Sequence, residues 1–368
     1  MKILVIGTPK RDFSIGFDTA ILGLSRAGID FDHYPNILAR SYGHTGTYQL
    51  RFDTDRISYP EYHVIEGNIK KGLYDLIITT VCRVDYNAGK HGIFSKAVRR
   101  LKYSLKSNKY KLGGMLVLDW LRKGIDLPPI VVVDDLDDPF IHPPDFGLLA
   151  NCAVYFKREL PFNRFLCFRL RLGFSNDELM SFANKLRPVW TSYDRESISA
   201  FTMMDDITLY EERDIDILFL GSTYASYGRQ LILPILRRLG KRYRVISPES
   251  GRRPKEEFYK LLKRSRICVS PEGRGWDTPK HYELPLFGGL LFLPRPTIEL
   301  AIDFKDGENC VFVDNHFRDF ERLADYYLAN PAISAEIARN GYQLARNRLG
   351  NDRLAEYVLQ TTKEAIGK

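Results

Sequence analysis

The stretch Ser270 to Gly289, SPEGRGWDTPKHYELPLFGG, decides how this chain is read. It follows the apolar run Ile267, Cys268, Val269, so it reads as a buried strand opening into a glycine-rich turn and then a short helix. A strand that feeds glycines into a helix start is a place to hold an anion. Gly273 and Gly275 let backbone N–H groups approach a phosphate closely, and a helix N-terminus adds partial positive charge. Around the turn stand Arg274 and Lys280 as cations, Glu272, Asp277 and Glu283 as acceptors for hydroxyl groups, and Thr278. A diphosphate joined to a polyol describes a nucleotide sugar. The same pattern also describes an ordinary strand–turn–helix with charged loop residues, so the surrounding sequence has to choose between them.

Just upstream lies a unit of similar layout. Asp216 to Leu220, DILFL, predicts a strand, Gly221, Ser222 and Thr223 its turn, and the run from Tyr227 a helix. Arg229 falls near the start of that helix, aimed at the mouth of the sheet. Arg244 to Ser247 predicts a short strand and Pro254 to Lys263 a helix. Beyond Gly289, strands are expected at Leu290 to Leu293 and Glu308 to Val313. A helical tail follows, with i, i+3, i+4 apolar spacing over Phe317 to Leu328, Ala335 to Arg348 and Asp352 to Ala365.

The N-terminal half has the same alternation. Lys2 to Ile6 predicts a strand, Phe17 to Ala27 a helix stopped by Gly28, and Phe31 to Tyr34 a second strand, the opening of a doubly wound α/β unit. A compact G-x-G-x-x-G is missing, so a dinucleotide site is not expected at this end. Residues 40 to 72 give no clear order. Further on, Leu73 to Thr80 predicts a strand, His91 to Leu105 a basic helix, Gly114 to Gly124 a helix and Pro129 to Val133 a buried strand. Directly after PIVVV come Asp134, Asp135, Asp137 and Asp138, then His142. Ligands of open α/β sheets bind at the carboxyl ends of strands, where these carboxylates would stand. Like charges raise one another's pKa, so one of them is expected to serve as a general base while others cap or are solvated. Metal binding is the competing use. Ala153 to Leu160 predicts a strand carrying Lys157, Arg158 and Glu159 at its end. Arg187 to Glu196, RPVWTSYDRE, is linker-like, which puts a boundary between about 185 and 212 and divides the chain into residues 1–195 and 196–368.

Composition sets the outer bounds. A chain of 368 residues has the length of two domains, and 44% hydrophobic with 27% charged residues describes a soluble globular protein. No apolar run is long enough to span a membrane, and MKILVIG enters a strand at once without a cleavage site, so no signal peptide is expected. Five cysteines, odd in number and without Cys-x-x-Cys spacing, point to a reducing cytoplasm and to neither a disulfide framework nor a zinc cluster. The net charge of +8 is uneven: Arg237 to Arg266 carries twelve Lys and Arg against three Glu. Such a run attracts phosphates, an anionic leaflet or nucleic acid, or else is a solvated helix face; together with Arg164, Arg169 and Arg171 it is expected to dock the chain on anionic lipid beside a lipid-linked acceptor.

With these pieces in order, the second half resembles the nucleotide-sugar-binding domain of GT-B glycosyltransferases, especially the group 1 and CgeB-like families. The match runs through Gly221-Ser222-Thr223, Arg229, SPEGRGWDTPKHYELPLFGG, the next strand, DGENCVFV and the helical tail, over about 214 to 350. The resemblance implies two Rossmann-like domains facing a cleft, the acceptor held mainly by the first and the donor by the second. It implies that Gly221, Ser222, Thr223 and Arg229 face the donor diphosphate, that Lys280, assisted by Arg274, neutralises it, and that Glu283 accepts hydrogen bonds from the ribose. Two departures stand out. Glu272 and Glu283 are eleven residues apart, wider than the glutamate pair of retaining group 1 enzymes, and Asp134-Asp135 stands where those enzymes often carry His-Asp. An aspartate base suits an inverting displacement.

The expected function is therefore metal-independent transfer of a sugar from a nucleotide-sugar donor to a saccharide or lipid-linked acceptor. The setting expected is cell-surface polysaccharide or glycoconjugate synthesis, in the cytoplasm or docked on the inner face of a membrane. No cofactor beyond the nucleotide-sugar substrate and no nucleic-acid partner is expected. Two alternatives stay open: a non-hydrolysing nucleotide-sugar epimerase of the same fold, and a basic nucleic-acid-binding protein without catalysis.

Overall fold

A computed structural model describes residues 1–7, 15–36, 39–42, 48–51, 55–82, 113–194, 198, 210–248 and 254–367. The basic helix expected over 91–105 lies outside them. The first domain runs β1 (Ile3–Ile6), α1 (Ile15–Arg26), β2 (Phe31–Tyr34), an antiparallel pair β3 (Ala39–Tyr42) and β4 (Tyr48–Arg51), β5 (Ile57–Ser58), α2 (Tyr62–Lys70), β6 (Leu76–Thr80), α3 (Gly114–Arg122), β7 (Ile130–Asp134), α4 (Phe146–Asn151), β8 (Val154–Lys157), α5 (Asn176–Lys185) and β9 (Leu186–Pro188). Seven of these strands form one parallel sheet in the order β5-β2-β1-β6-β7-β8-β9. Helices cover both faces, so β1, β6, β7 and β8 are buried at every position, which is why they read as continuous apolar runs.

The second domain holds β10 (Ile215–Leu218), α6 (Tyr227–Leu239), β11 (Val245–Ile246), α7 (Lys255–Lys263), β12 (Ser265–Val269), α8 (Pro279–Glu283), β13 (Leu290–Pro294), β14 (Val311–Val313), α9 (Phe320–Ala329), α10 (Pro331–Arg348) and α11 (Asn351–Ile366). Its parallel sheet has the order β11-β10-β12-β13-β14. Chain direction across the sheet reverses between β10 and β12, and such a reversal opens a crevice at the carboxyl ends of the two strands. Both stretches singled out by sequence, Gly221–Thr223 and Ser270–Gly289, leave the sheet at that crevice.

The last helix crosses back to the first domain. Gly23 of α1 lies so close to α11 that a Cβ there would stand 2.0 Å from the Asn351 carbonyl oxygen. The crossing is tied down by hydrogen bonds from Asn351 N to Tyr193 O (3.0 Å), Tyr193 Oη to Ala345 O (2.9 Å) and Tyr357 Oη to Pro188 O (2.9 Å). One apolar cluster accordingly runs from Val5 and Ile21 through Trp190 to Leu354 and on to Trp276 and Leu284. A cut between 195 and 196 assigns α11 to the second domain by sequence, whereas its apolar face is buried on the first. Also at the junction, Arg164 grips Glu299 with two bonds of 2.7 Å, and Glu299 N donates to Leu160 O at 2.7 Å.

Candidate active site

The turn after β10 is the centre of the candidate site. Its backbone at Gly221 is approached by two cations: a Cβ on Gly221 would lie 3.3 Å from Lys280 Nζ and 3.5 Å from Arg229 Nη1. Arg229 is buried at the start of α6, where Ser226 caps the helix and accepts from Arg229 N at 3.3 Å. Its guanidinium donates to Glu272 O (2.8 Å) and Ser222 O (3.2 Å), which ties the Gly221 turn to the glycine-rich loop. Lys280, half-buried on α8, donates to Leu220 O and lies 5.1 Å over the Phe258 ring. Neither cation forms an ion pair within 4 Å among the described residues. Burial lowers the pKa of Arg229, with Glu272 opposing; burial and Arg229 together push Lys280 down to about 8 against the pull of Glu283. Two positive groups held together at a cost to both make a place where an anion gains strongly.

The glycine-rich loop is arranged differently from the sequence expectation. Its following helix, α8, is only five residues long and passes into a 3-10 turn, Leu284–Phe287, so its dipole is slight. The long helix that opens at the site is α6, and Glu272 already packs by it, with Oε1 3.4 Å from where a Gly228 Cβ would be. Burial raises the Glu272 pKa, while Arg229 and His316 pull it down. Glu283 accepts a hydrogen bond from Tyr259, whose ring stacks on Phe287 at 4.8 Å. Arg274 is exposed at the loop's tip, and Gly273 N donates to Gly275 O at 2.9 Å.

Asp277 and Thr278 do not stand open to a ligand. Both are buried; Asp277 accepts from Thr191 N with both oxygens at 3.2 Å and from Tyr282 Oη. Its carboxylate thus links the loop to the first domain instead of presenting an acceptor for a hydroxyl. Sequence reasoning also missed Glu159. This buried side chain, just beyond β8, accepts from Trp276 N and Asp277 N at 2.9 Å each, and its carboxyl occupies the space of a Gly275 Cβ, 2.3 Å away. Gly275 is therefore required by the closeness of the domains. Burial and Asp277 push Glu159 up to about 7, against Arg158 and the two amides. The available signal was its position at a strand's carboxyl end, shared with many residues that do nothing similar. His281 is likewise structural: Nε2 donates to Trp276 O (2.8 Å), which leaves Nδ1 to accept from Ser270 Oγ (2.7 Å), and burial lowers its pKa to about 3.

The four aspartates after β7 are brought together as expected, but most are committed. Asp134 is buried, paired with Lys157 at 3.0 Å and bonded by Tyr155 Oη (3.0 Å) and Leu136 N (3.1 Å), so a general-base role for it is corrected to a structural one. Asp138 accepts from Phe140 N at 2.9 Å and lies 3.0 Å from His142 Nε2. Burial opposes its charge, but His142 and Lys157 outweigh burial and hold its pKa low, which removes it as a base. Asp137 pairs with Arg158. Asp135 is nearly buried, acts electrostatically on Arg158, and has its Cβ 2.9 Å from where a Gly16 Cβ would stand at the opening of α1.

Much of the basic run is neutralised across the fold. Arg238 and Arg242 meet Glu321, Arg242 also Asp325, Arg244 and Arg264 share Asp214, and Arg266 meets Asp216.

The molecule thus has a seven-stranded and a five-stranded parallel sheet joined through the crossing helix α11, with paired cations at the switch point of the second sheet. Residues 221–360 match the glycosyl transferase-like family. Over the whole chain, the structure resembles Anabaena Alr3699/HepE in complex with UDP (11% identity, 99% of this chain and 100% of that one, TM-score 0.51). This is a GT-B fold. The same GT-B architecture is shared with an alpha-glucosyltransferase in complex with UDP and a 13-mer DNA (10% identity, all of both chains, TM-score 0.54). A glycosyltransferase from Rickettsia africae is similar to the same degree (10% identity, 99% of this chain and 98% of that one, TM-score 0.52). No curated protein matches the chain by sequence. The family match begins at Gly221, so it includes the Gly221–Thr223 turn and every second-domain residue of the candidate site.

Proposed function

We propose that the protein transfers a sugar from a nucleoside-diphosphate sugar to a hydroxyl of a saccharide or lipid-linked acceptor, in polysaccharide or glycoconjugate synthesis. The observation that carries this reading is the convergence of Lys280 and Arg229 on Gly221 without an ion-pair partner for either among the described residues. In this reading the donor diphosphate lies against the Gly221–Thr223 turn, and Glu283, already oriented by Tyr259, accepts from the ribose. As the sugar–phosphate bond breaks, charge gathers on the leaving diphosphate, and prepositioned cations and amides stabilise it there without reorganising. Asp135, just beyond the carboxyl end of β7 and beside the opening of α1, takes the acceptor proton. Metal independence belongs to the proposal, and a chelator that stops turnover of the pure protein removes it.

UDP is the first nucleotide to test, since two of the GT-B neighbours carry it in their solved complexes. A panel of nucleoside diphosphates and their sugars is expected to raise the melting temperature for one base. Glu283→Ala is expected to abolish that shift, and Asp135→Asn to keep it while turnover is lost. Normal donor binding by Glu283→Ala would remove the site assignment. Product analysis with donor alone separates transfer from epimerisation, because only an epimerase converts the donor without acceptor.

Nucleotide affinity is also expected to depend on pH through Lys280. The donor anion binds the protonated amine and raises its pKa, so the lysine's contribution to affinity is fully present below about pH 8, the ligand-free pKa, and falls away above it until pH has passed the raised pKa of the complex. Calorimetric titration with the nucleoside diphosphate on either side of that value checks this, and a flat profile counts against Lys280 as a phosphate ligand.

A further inference from the structure

We propose that residues 162–172, together with the exposed side of α5, form a docking surface for an anionic lipid bilayer. Four large apolar side chains stand out of this short segment: Phe162 (66% exposed), Phe165 (48%), Leu170 (43%) and Leu172 (90%), with Met180 (53%) on α5 beside them. Their frame is fixed. Asn163 caps the 3-10 turn Arg164–Phe168 by accepting from Phe165 N, Cys167 and Phe168 are buried, and Ile141 N holds Cys167 O at 2.8 Å. The exposed tips are thus held out by the fold, where ordinary folding would turn them inward.

Charge identifies the occupant. From Leu160 to Asn176 there is no carboxylate and there are three arginines. Arg164 is spent on Glu299, but Arg169 and Arg171 are exposed. Arg171 lies over the rings of Phe146 (5.5 Å) and Phe174 (4.8 Å), close enough to Glu178 to add to the lowering of its pKa by Ser175, but with no ion pair within 4 Å among the described residues. The neighbouring acids are Asp177 and Glu178 in the first turn of α5, and Glu178 is tied into the capping box with Ser175. Apolar tips interleaved with guanidinium groups suit an interface where chains enter the acyl boundary and cations stay at phosphate level. A groove of about 400 Å³ lined by Phe162, Ile298, Leu300, Ile302 and Phe304 continues the apolar face onto the second domain, and the one acid in its lining, Asp303, is paired with Lys305 at 3.3 Å. No described helix is long and apolar enough to cross a membrane, so this contact is peripheral. The surface also displaces the basic run 237–266 from the docking role its composition suggested, because much of that run is paired.

The test is sedimentation of the full chain with phosphatidylcholine vesicles containing phosphatidylglycerol, against vesicles of phosphatidylcholine alone. Binding to the anionic vesicles at low ionic strength, weakened by added salt, is expected. Phe165→Asp combined with Leu172→Asp is expected to lower the bound fraction about tenfold. Both side chains are exposed, so an unchanged melting temperature certifies the fold. Arg169→Glu is expected to weaken binding as well, whereas Lys241→Glu in the basic run leaves it within about twofold. No sedimentation with anionic vesicles, or sedimentation indifferent to the double substitution, overturns the proposal. So does a dimer in solution that the double substitution converts to monomer, which makes the face a self-contact. Vesicle binding requires no donor, so this outcome is independent of whether the chain transfers a sugar.

Discussion

Lys280→Ala is expected to lower kcat/KM for sugar transfer by about 10²–10³-fold, the scale on which one preorganised charge-stabilising donor acts. The lysine reaches the Gly221 turn from α8, across the switch point of the second sheet, and shares that turn with Arg229. Its proton is held at some cost, since burial and Arg229 push its pKa down to about 8. Removing it relieves a repulsion in the ligand-free protein but also gives up the bond to Leu220 O, so the melting temperature is expected to change little. That pairing of lost activity with kept stability separates a ligand-binding cation from a structural one. Arg229→Ala is a poorer test, because Arg229 also bonds the Glu272 and Ser222 carbonyls and its loss disturbs the loop itself. Transfer by Lys280→Ala at near the parent rate would exclude the donor site from this turn.

The second large effect concerns the fold. Gly23→Ala is expected to destabilise the protein by about 1–3 kcal/mol, read as a fall in denaturant midpoint or melting temperature. Helix propensity alone predicts the opposite, a gain of about 0.5–1 kcal/mol for alanine over glycine inside a helix. The sign is decided by position: the new Cβ would sit 2.0 Å from a backbone oxygen of Asn351, and backbone cannot rotate away as a side chain can. The helices α1 and α11 have to separate, which also strains the bonds from Asn351 to Tyr193 and from Tyr357 to Pro188. A stabilised Gly23→Ala protein would show that this close crossing is not made.

Most of the elements were legible because each buried strand announces itself locally. ILVI, PIVVV, DILFL and RICV are apolar runs bounded by glycine, proline or acid, and they become β1, β7, β10 and β12. The cation pair was legible for a similar reason: Arg229 and Lys280 both follow a strand by a turn, and each domain of a doubly wound fold presents such positions to one crevice. Partners distant in sequence were not legible. Asp134 looks like a free carboxylate until Lys157, from the neighbouring strand, is found beside it. Asp277 looks like a hydroxyl acceptor until Thr191 arrives from the other domain. The basic run similarly loses much of its field to Glu321 and Asp325 of α9, about eighty positions further on. Gly275 was read as room for a phosphate, while the structure gives that room to Glu159.

The crossing of α11 onto α1 also bears on how the chain is made. Synthesis delivers β1 and α1 long before residues 351–366, so one side of the first domain stays uncovered until those residues emerge. Domains usually fold as units in the order they leave the ribosome. Here the first domain is finished by α11, and a nascent chain stalled before Asn351 exposes the apolar face around Ile21 and Leu24 that Leu354, Ala355 and Val358 otherwise help to bury.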